Sequence, residues 1–205
     1  NEKYGVQFES WFNDRFNGRD WMINLFSSIL YHTNNIYQNE KALFIKDNGW
    51  MFGKNNVKTP KNTKLSIDNV KKFDEFCKQH GIKLYLLLVP PKEAIYSDVL
   101  GEKFGFDYVA ERAHIDYINQ IKSVLPGNRV IFPYEDLKQS KEQDYVFFKQ
   151  THHWTDWGAY IGYKALSSRI EKDFKQYTTV SLSDYDKSFS TKIRDDWARS
   201  YNVGH

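Results

Sequence analysis

The sequence predicts an α/β fold built on a central parallel sheet, and three observations carry that prediction. The run Leu84-Tyr85-Leu86-Leu87-Leu88-Val89 is continuous and apolar, as a strand covered on both faces must be, and Pro90-Pro91 ends it. Val130-Ile131-Phe132 is a second such run. Between them, Tyr108 to Val124 carries a helical apolar repeat. Strand, helix and strand in this order form a βαβ unit, which requires parallel strands and a right-handed crossover.

The 205 residues read as one domain, with 1–62 an N-terminal helix-and-hairpin region and 63–205 the α/β core. Val6 to His32 reads as an amphipathic helix whose apolar positions are Phe8, Trp11, Phe12, Phe16, Leu25, Ile29 and Leu30, with Asn17-Gly18 a point of interruption. Ala42–Ile45 and Trp50–Phe52 are short strands around the turn signal Asp47-Asn48-Gly49. Lys54 to Thr63 reads as a loop. Leu65 to His80 reads as a helix buried along Ile67, Val70, Phe73, Phe76 and Cys77, with Gly81 as its C-terminal cap.

After the first long strand, Ile82 to Val89, a loop runs to about Phe106. Pro126-Gly127-Asn128 is a turn, Tyr134 to Gln139 a short helix, and Tyr145 to Phe148 a short strand or turn. Thr155 is the expected N-cap of a helix reaching Phe174 and buried along Ala159, Tyr163, Leu166, Ile170 and Phe174. Lys175 to His205 is polar and irregular, with a short strand at Thr179 to Leu182.

Basic and acidic residues, 29 and 26 of them, are interspersed at a net charge of +3, so no basic block points to nucleic acid. The single cysteine, Cys77, excludes an internal disulfide and reads as a buried thiol. No run of about 18 apolar residues marks a membrane span. The first residue is Asn rather than Met, and the expectation is an extracytoplasmic chain from which a signal or anchor has been removed. Aromatics reach 17%, which suits either stacking on sugar rings or an aromatic core.

One segment stands apart chemically: Lys149-Gln150-Thr151-His152-His153-Trp154-Thr155-Asp156-Trp157-Gly158-Ala159. A histidine in a loop fixed to a capped helix suits a general base, which must be held within about 3 Å of the proton it removes. A metal held by His152, His153 and Asp156 is the rival reading. Adjacent side chains in an extended loop point apart, so no metal is expected. Trp154 either packs beneath the loop or stacks on a sugar. Lys92 and Glu93 follow a strand end, where open α/β sheets place ligand sites; the alternative is a solvated loop.

The same segment resembles the D-x-H-W-[TN]-x-x-G-A motif of the alginate O-acetyltransferase family, whose members have an SGNH-hydrolase-like fold. Phe8-Glu9-Ser10-Trp11-Phe12-Asn13-Asp14-Arg15-Phe16 with Arg19 is similar to that family's N-terminal helix. Lys46-Asp47-Asn48-Gly49-Trp50-Met51-Phe52 is similar to its G-K-D-G-W-L-F hairpin, and Val89-Pro90-Pro91-Lys92-Glu93-Ala94-Ile95-Tyr96 to its V-P-P-K-x-x-I-Y segment. Order and approximate spacing agree across nearly the whole chain.

The resemblance implies a flavodoxin-like three-layer domain whose sheet need not be complete on its C-terminal side within these residues. It implies acetyl transfer to a cell-surface polysaccharide outside the cytoplasmic membrane, through a serine ester, with a membrane-bound acyltransferase as partner and no soluble cofactor. His153 aligns with the triad histidine. Thr151 falls at the family's Asp position, a departure that removes the charge that would stabilise an imidazolium. Asp144 and Asp156 are the nearest carboxylates in sequence. His152, Trp154, Lys92 and Tyr96 are expected to contact substrate. The resemblance places the nucleophile beyond the D-x-H motif, yet Ser188, Ser190 and Ser200 all lie in the polar tail. Either a serine follows His205 or the chain is a catalytically inactive glycan- or partner-binding relative; an acetylesterase using the same site is a third reading.

Overall fold

A computed structural model of the chain describes residues 4–5, 7–8, 11, 18, 21–22, 25–26, 28–29, 33, 36–38, 42–45, 49–53, 63–99 and 109–185. Phe12, Phe16, Leu30, residues 54–62 and 100–108, on which the expected loops largely fall, and the serines at 188, 190 and 200 therefore lie outside the described residues. Between 4 and 33 the described residues are helical except Gly18, which lies in a turn where Met22 N–H donates to Gly18 O at 2.9 Å. The expected buried face is corrected here: Phe8, Trp11, Leu25 and Ile29 are all exposed.

Three strands form an antiparallel meander: β1 (Ile36–Gln38), β2 (Ala42–Ile45) and β3 (Trp50–Gly53). Strand β1 was not foreseen. The β2–β3 register pairs Ile45 with Trp50, and Gly49 adopts φ 71° in the turn between them, a backbone region open to glycine without a Cβ clash.

Helix α1 (Thr63–Gln79) ends as its glycine predicts. Gly81 has φ 67°, its N–H donates to Lys78 O at 3.2 Å, and Ile82 N–H donates to Cys77 O at 2.8 Å, a Schellman closure. Cys77 is buried, but Phe73 and Phe76 are exposed and stacked on each other, so the buried stripe is narrower than the apolar repeat implied.

The βαβ unit is present. Strand β4 (Leu86–Leu87) lies parallel to β5 (Val130–Ile131), pairing Leu86 with Val130 and Leu87 with Ile131, and between them run α2 (Lys92–Ile95) and α3 (Val109–Val124). The expected strand from Ile82 to Val89 is corrected to a short ladder with exposed ends, since Ile82 and Val89 both face solvent. Alternation along it defines the layers. Leu84, Leu86 and Leu88 pack with Ile67 and Val70 of α1, Ile121 of α3 and Leu125 just after it, while the Tyr85 hydroxyl, on the other face, donates to Asp173 at 2.5 Å. Asp173 ends helix α5 (Asp156–Asp173). Helices therefore cover both faces of the parallel pair.

Helix α4 (Tyr134–Ser140) follows β5. The expected buried face of α5 is corrected: Gly158, Ile161, Gly162 and Ser167 are buried, whereas Phe174 is exposed. The expected strand at Thr179 to Leu182 is replaced by an irregular segment and a 3-10 turn, Leu182–Asp184. The cause is local. Thr179 Oγ1 bonds Ser167 and Glu171, which ties the segment to α5, and Val180 N–H, a group that a strand partner would need, donates to the Tyr163 hydroxyl.

Candidate active site

The histidine segment folds back as a narrow hairpin. Thr155 N–H donates to Val146 O at 3.0 Å, Phe147 and Trp154 form an antiparallel bridge, and Phe148 N–H donates to His153 O at 3.1 Å. Residues 149–152 are the tip. Thr155 then caps α5 as expected, its Oγ1 accepting from Gly158 N–H at 3.1 Å and donating to Tyr145 O at 2.5 Å.

Two glycines explain why the helix approaches this hairpin so closely. A Cβ on Gly158 would lie 2.0 Å from Val146 O, and one on Gly162 would lie 2.7 Å from the Trp154 ring. Trp154 thus packs between the hairpin and α5, one of the two roles its sequence position allowed, and is only partly buried there.

Lys92 fixes the tip. Its side chain is 1% exposed, and its ammonium donates to Phe148 O at 2.8 Å, Lys149 O at 2.6 Å and Thr151 O at 3.0 Å. A lysine ammonium has three hydrogens to donate and no acceptor, so three carbonyls match its capacity. The rings of Trp50 and Phe52 each lie 5.1 Å from it, adding cation–π attraction in a desolvated place. Lys149 O also accepts from Met51 N–H at 2.8 Å, and Glu93 Oε1 accepts from Gly53 N–H at 2.7 Å. Tyr96 is buried, and its hydroxyl accepts from Val146 N–H at 3.1 Å; burial raises its pKa above the ordinary phenol value.

Lys92 and Tyr96, expected to face substrate, instead hold backbone. Glu93 does the same, and neither Lys92 nor Glu93 is in a solvated loop. The sequence offered one overlooked signal for this role. Lys92 and Glu93 sit directly behind Pro90-Pro91 in a segment flanked by apolar residues, where a charged pair turns inward only if backbone groups satisfy it.

The consequence is a histidine set at the end of the parallel strands. Lys92 follows β4 by only the segment Leu88–Pro91, so the tip it grips sits beyond the C-terminal end of β4, the usual ligand position of open α/β sheets. His152 and His153 are exposed there, their ring centroids 4.0 Å apart at 37°. The loop is bent rather than extended, which corrects the expectation that the two rings point apart. Among the described residues no three His, Cys, Asp or Glu side chains group as a metal site.

Thr151 is buried, and its Oγ1 accepts from the backbone N–H of His153 at a long 3.5 Å. The hydroxyl therefore shapes the turn below the imidazole. Neither alternative carboxylate reaches the ring: Asp144 accepts from the N–H of Tyr145 at 2.7 Å, and Asp156 is exposed in the first turn of α5. Among the described residues no hydroxyl is hydrogen-bonded to the His153 ring.

Comparison with known proteins adds three findings. Residues 44–194 match the family described as SGNH hydrolase-like domain, acetyltransferase AlgX. The chain is 29% identical over 96 residues to the probable alginate O-acetylase AlgJ of Pseudomonas putida, covering 46% of this chain and 24% of that protein. It superposes on the O-acetyltransferase domain of Pseudomonas putida AlgJ with a TM-score of 0.54 at 20% identity, over 65% of this chain and 48% of that one. The matched part thus spans about a quarter of the curated relative (24%) and about half of the solved chain (48%). The structural likeness shows a shared fold, the SGNH-like α/β architecture that the motifs implied.

Proposed function

The chain belongs to the SGNH hydrolase-like domain family of the acetyltransferase AlgX, and from that premise we propose that it takes part in O-acetylation of a cell-surface polysaccharide, with His153 as the general base. The observation that carries the reading is the exposed imidazole of His153 on a backbone gripped at the C-terminal end of β4. An exposed ring on a fixed loop can accept a proton from a group brought to it; a ring sealed in the core could not.

In the proposed chemistry a serine oxygen bonds the acyl carbon of the donor while His153 takes the serine proton and returns it to the departing group. A sugar hydroxyl then attacks the serine ester. His153 removes that proton, the sugar oxygen bonds the acyl carbon, and the serine oxygen leaves and is reprotonated. Backbone N–H groups are the expected stabilisers of the tetrahedral intermediates. The exposure of His152 beside His153 supports its reading as a contact to the acceptor. The family resemblance supports an extracytoplasmic setting and a membrane-bound acyltransferase as partner. No helix among the described residues is long and apolar enough to cross a membrane. A purely glycan-binding relative and an acetylesterase are not favoured by a family defined as acetyltransferase.

The test is acetyl transfer, and hydrolysis of a chromogenic acetyl ester, by the full natural protein. His153→Ala is expected to cost at least about 10²-fold in kcat, the general-base contribution. Thr151→Asp, which restores a carboxylate at the family position, is expected to raise kcat. Unchanged turnover in His153→Ala would sink the assignment.

A further inference from the structure

Residues 149–153 have no helix or ladder of their own, yet two segments distant in sequence converge on them. Strand β3 supplies Met51 N–H to Lys149 O. Trp50 and Phe52 of the same strand wall the ammonium of Lys92, which reaches three carbonyls of the loop. Glu93, the next residue, ties β3 to α2 through Gly53 N–H. Three stretches that look separate in sequence, around 50–53, 90–96 and 148–158, are one junction.

We propose that Lys92 is the positioning residue of this site, holding the His153 loop in its working shape without touching substrate. Carbonyl oxygens of residues 148, 149 and 151 face one another across a tight bend, and their negative ends repel. A single nitrogen with three donors relieves that repulsion and fixes all three peptide planes at once. An apolar side chain of the same length fills the space but leaves the carbonyls opposed and buried. A guanidinium keeps the charge but presents a wider, planar fork. Because Phe148 N–H closes on His153 O, fixing the first end of the bend fixes the histidine at the other.

This inference rests on the reading of His153 as proton acceptor, so the experiment separates the two. Lys92→Met, Lys92→Arg and His153→Gln are compared in the full natural protein by amide hydrogen exchange and by acetyl-ester turnover. In Lys92→Met, exchange across 148–153 is expected to rise by about tenfold or more while α1 and mid-α5 amides keep their protection. Turnover is expected to fall about 10²-fold in kcat with KM little changed, the signature of a misplaced catalytic group rather than lost binding. Lys92→Arg is expected to fall between wild type and Lys92→Met in both readouts. Should Lys92→Met fail to fold, Lys92→Arg carries the test alone, with loop exchange raised relative to wild type. Unchanged loop exchange overturns the proposal, and so does a rise spread evenly over all helices, because Lys92 would then serve general stability. His153→Gln is expected to abolish turnover and leave loop exchange as in wild type. If it leaves turnover intact, the catalytic reading falls while the clamp stands or falls on its exchange data.

Discussion

Lys92 and Asp74 are both charged and both buried, at 1% and 2% exposure, and the molecule holds them in opposite ways. Lys92 is surrounded by carbonyl oxygens of a loop, so its charge is spread over neutral backbone dipoles. Asp74 on α1 faces the guanidinium of Arg129, which approaches it through both Nη1 and Nη2, and Lys78 lies 2.7 Å away. The first arrangement shapes backbone beside a site. The second joins two elements, α1 and the turn before β5, where Arg129 Nε also donates to Pro126 O at 3.0 Å. Arg129 and Lys78 also hold the Asp74 carboxyl below the usual carboxylate range, with hydrogen bonding to Arg129 the leading cause. One region thus uses buried charges to hold backbone groups, the other to pair two side chains.

The sharpest way to break this contrast is to spoil the fit. Gly158→Ala places a methyl 2.0 Å from Val146 O, which is backbone and cannot rotate away. We expect a loss of about 3 kcal/mol, the upper part of the overpacking range, equal at pH 5 and pH 8 by urea denaturation. A small loss would show that the hairpin can slide on α5.

The next effect belongs to the ion pair. Arg129→Met leaves a buried carboxylate with only Lys78 beside it, and about 2–3 kcal/mol should be lost at neutral pH. The pH dependence follows from the lowered pKa. A carboxyl whose folded pKa lies below its unfolded value, about 3.9, contributes its full stability above that value. That contribution disappears as pH falls through the folded pKa. Stability of the wild type should therefore drop below about pH 4 more steeply than that of Asp74→Asn. Parallel acid limbs in the two proteins would exclude the pair as an acid-sensitive joint.

The smallest effect is the cap. Thr155→Ala removes the acceptor for Gly158 N–H and is expected to cost about 1 kcal/mol in thermal or urea unfolding. A loss well beyond that would mean the threonine's bond to Tyr145 O secures the hairpin as well.

What the sequence disclosed and what it hid follow the same division. Continuous apolar runs located β4 and β5, and glycine with positive φ located the end of α1 and the β2–β3 turn, because these signals are local. The face of α5 differs from the apolar repeat because its contact surface includes Gly158 and Gly162 beside Ile161, and glycines carry no apolar signal and matter only for what approaches them. Phe73 and Phe76 misled in the reverse sense, as large apolar side chains at helical spacing that stay exposed. At the site, the histidine loop and its cap were legible from chemistry and spacing. The inward turn of Lys92, Glu93 and Tyr96 was not, since it depends on backbone groups brought from residues about fifty positions away in each direction.

The outer edge of β3 has a consequence beyond the site. Met51 and Gly53 present their N–H groups on one side of the strand, and a loop carbonyl and the Glu93 carboxylate cover them. An uncovered strand edge is a template on which a second chain can lay itself down. The histidine loop, with Glu93, therefore also works as a guard rail, and loosening it is expected to leave β3 open to pairing with a second copy of the chain.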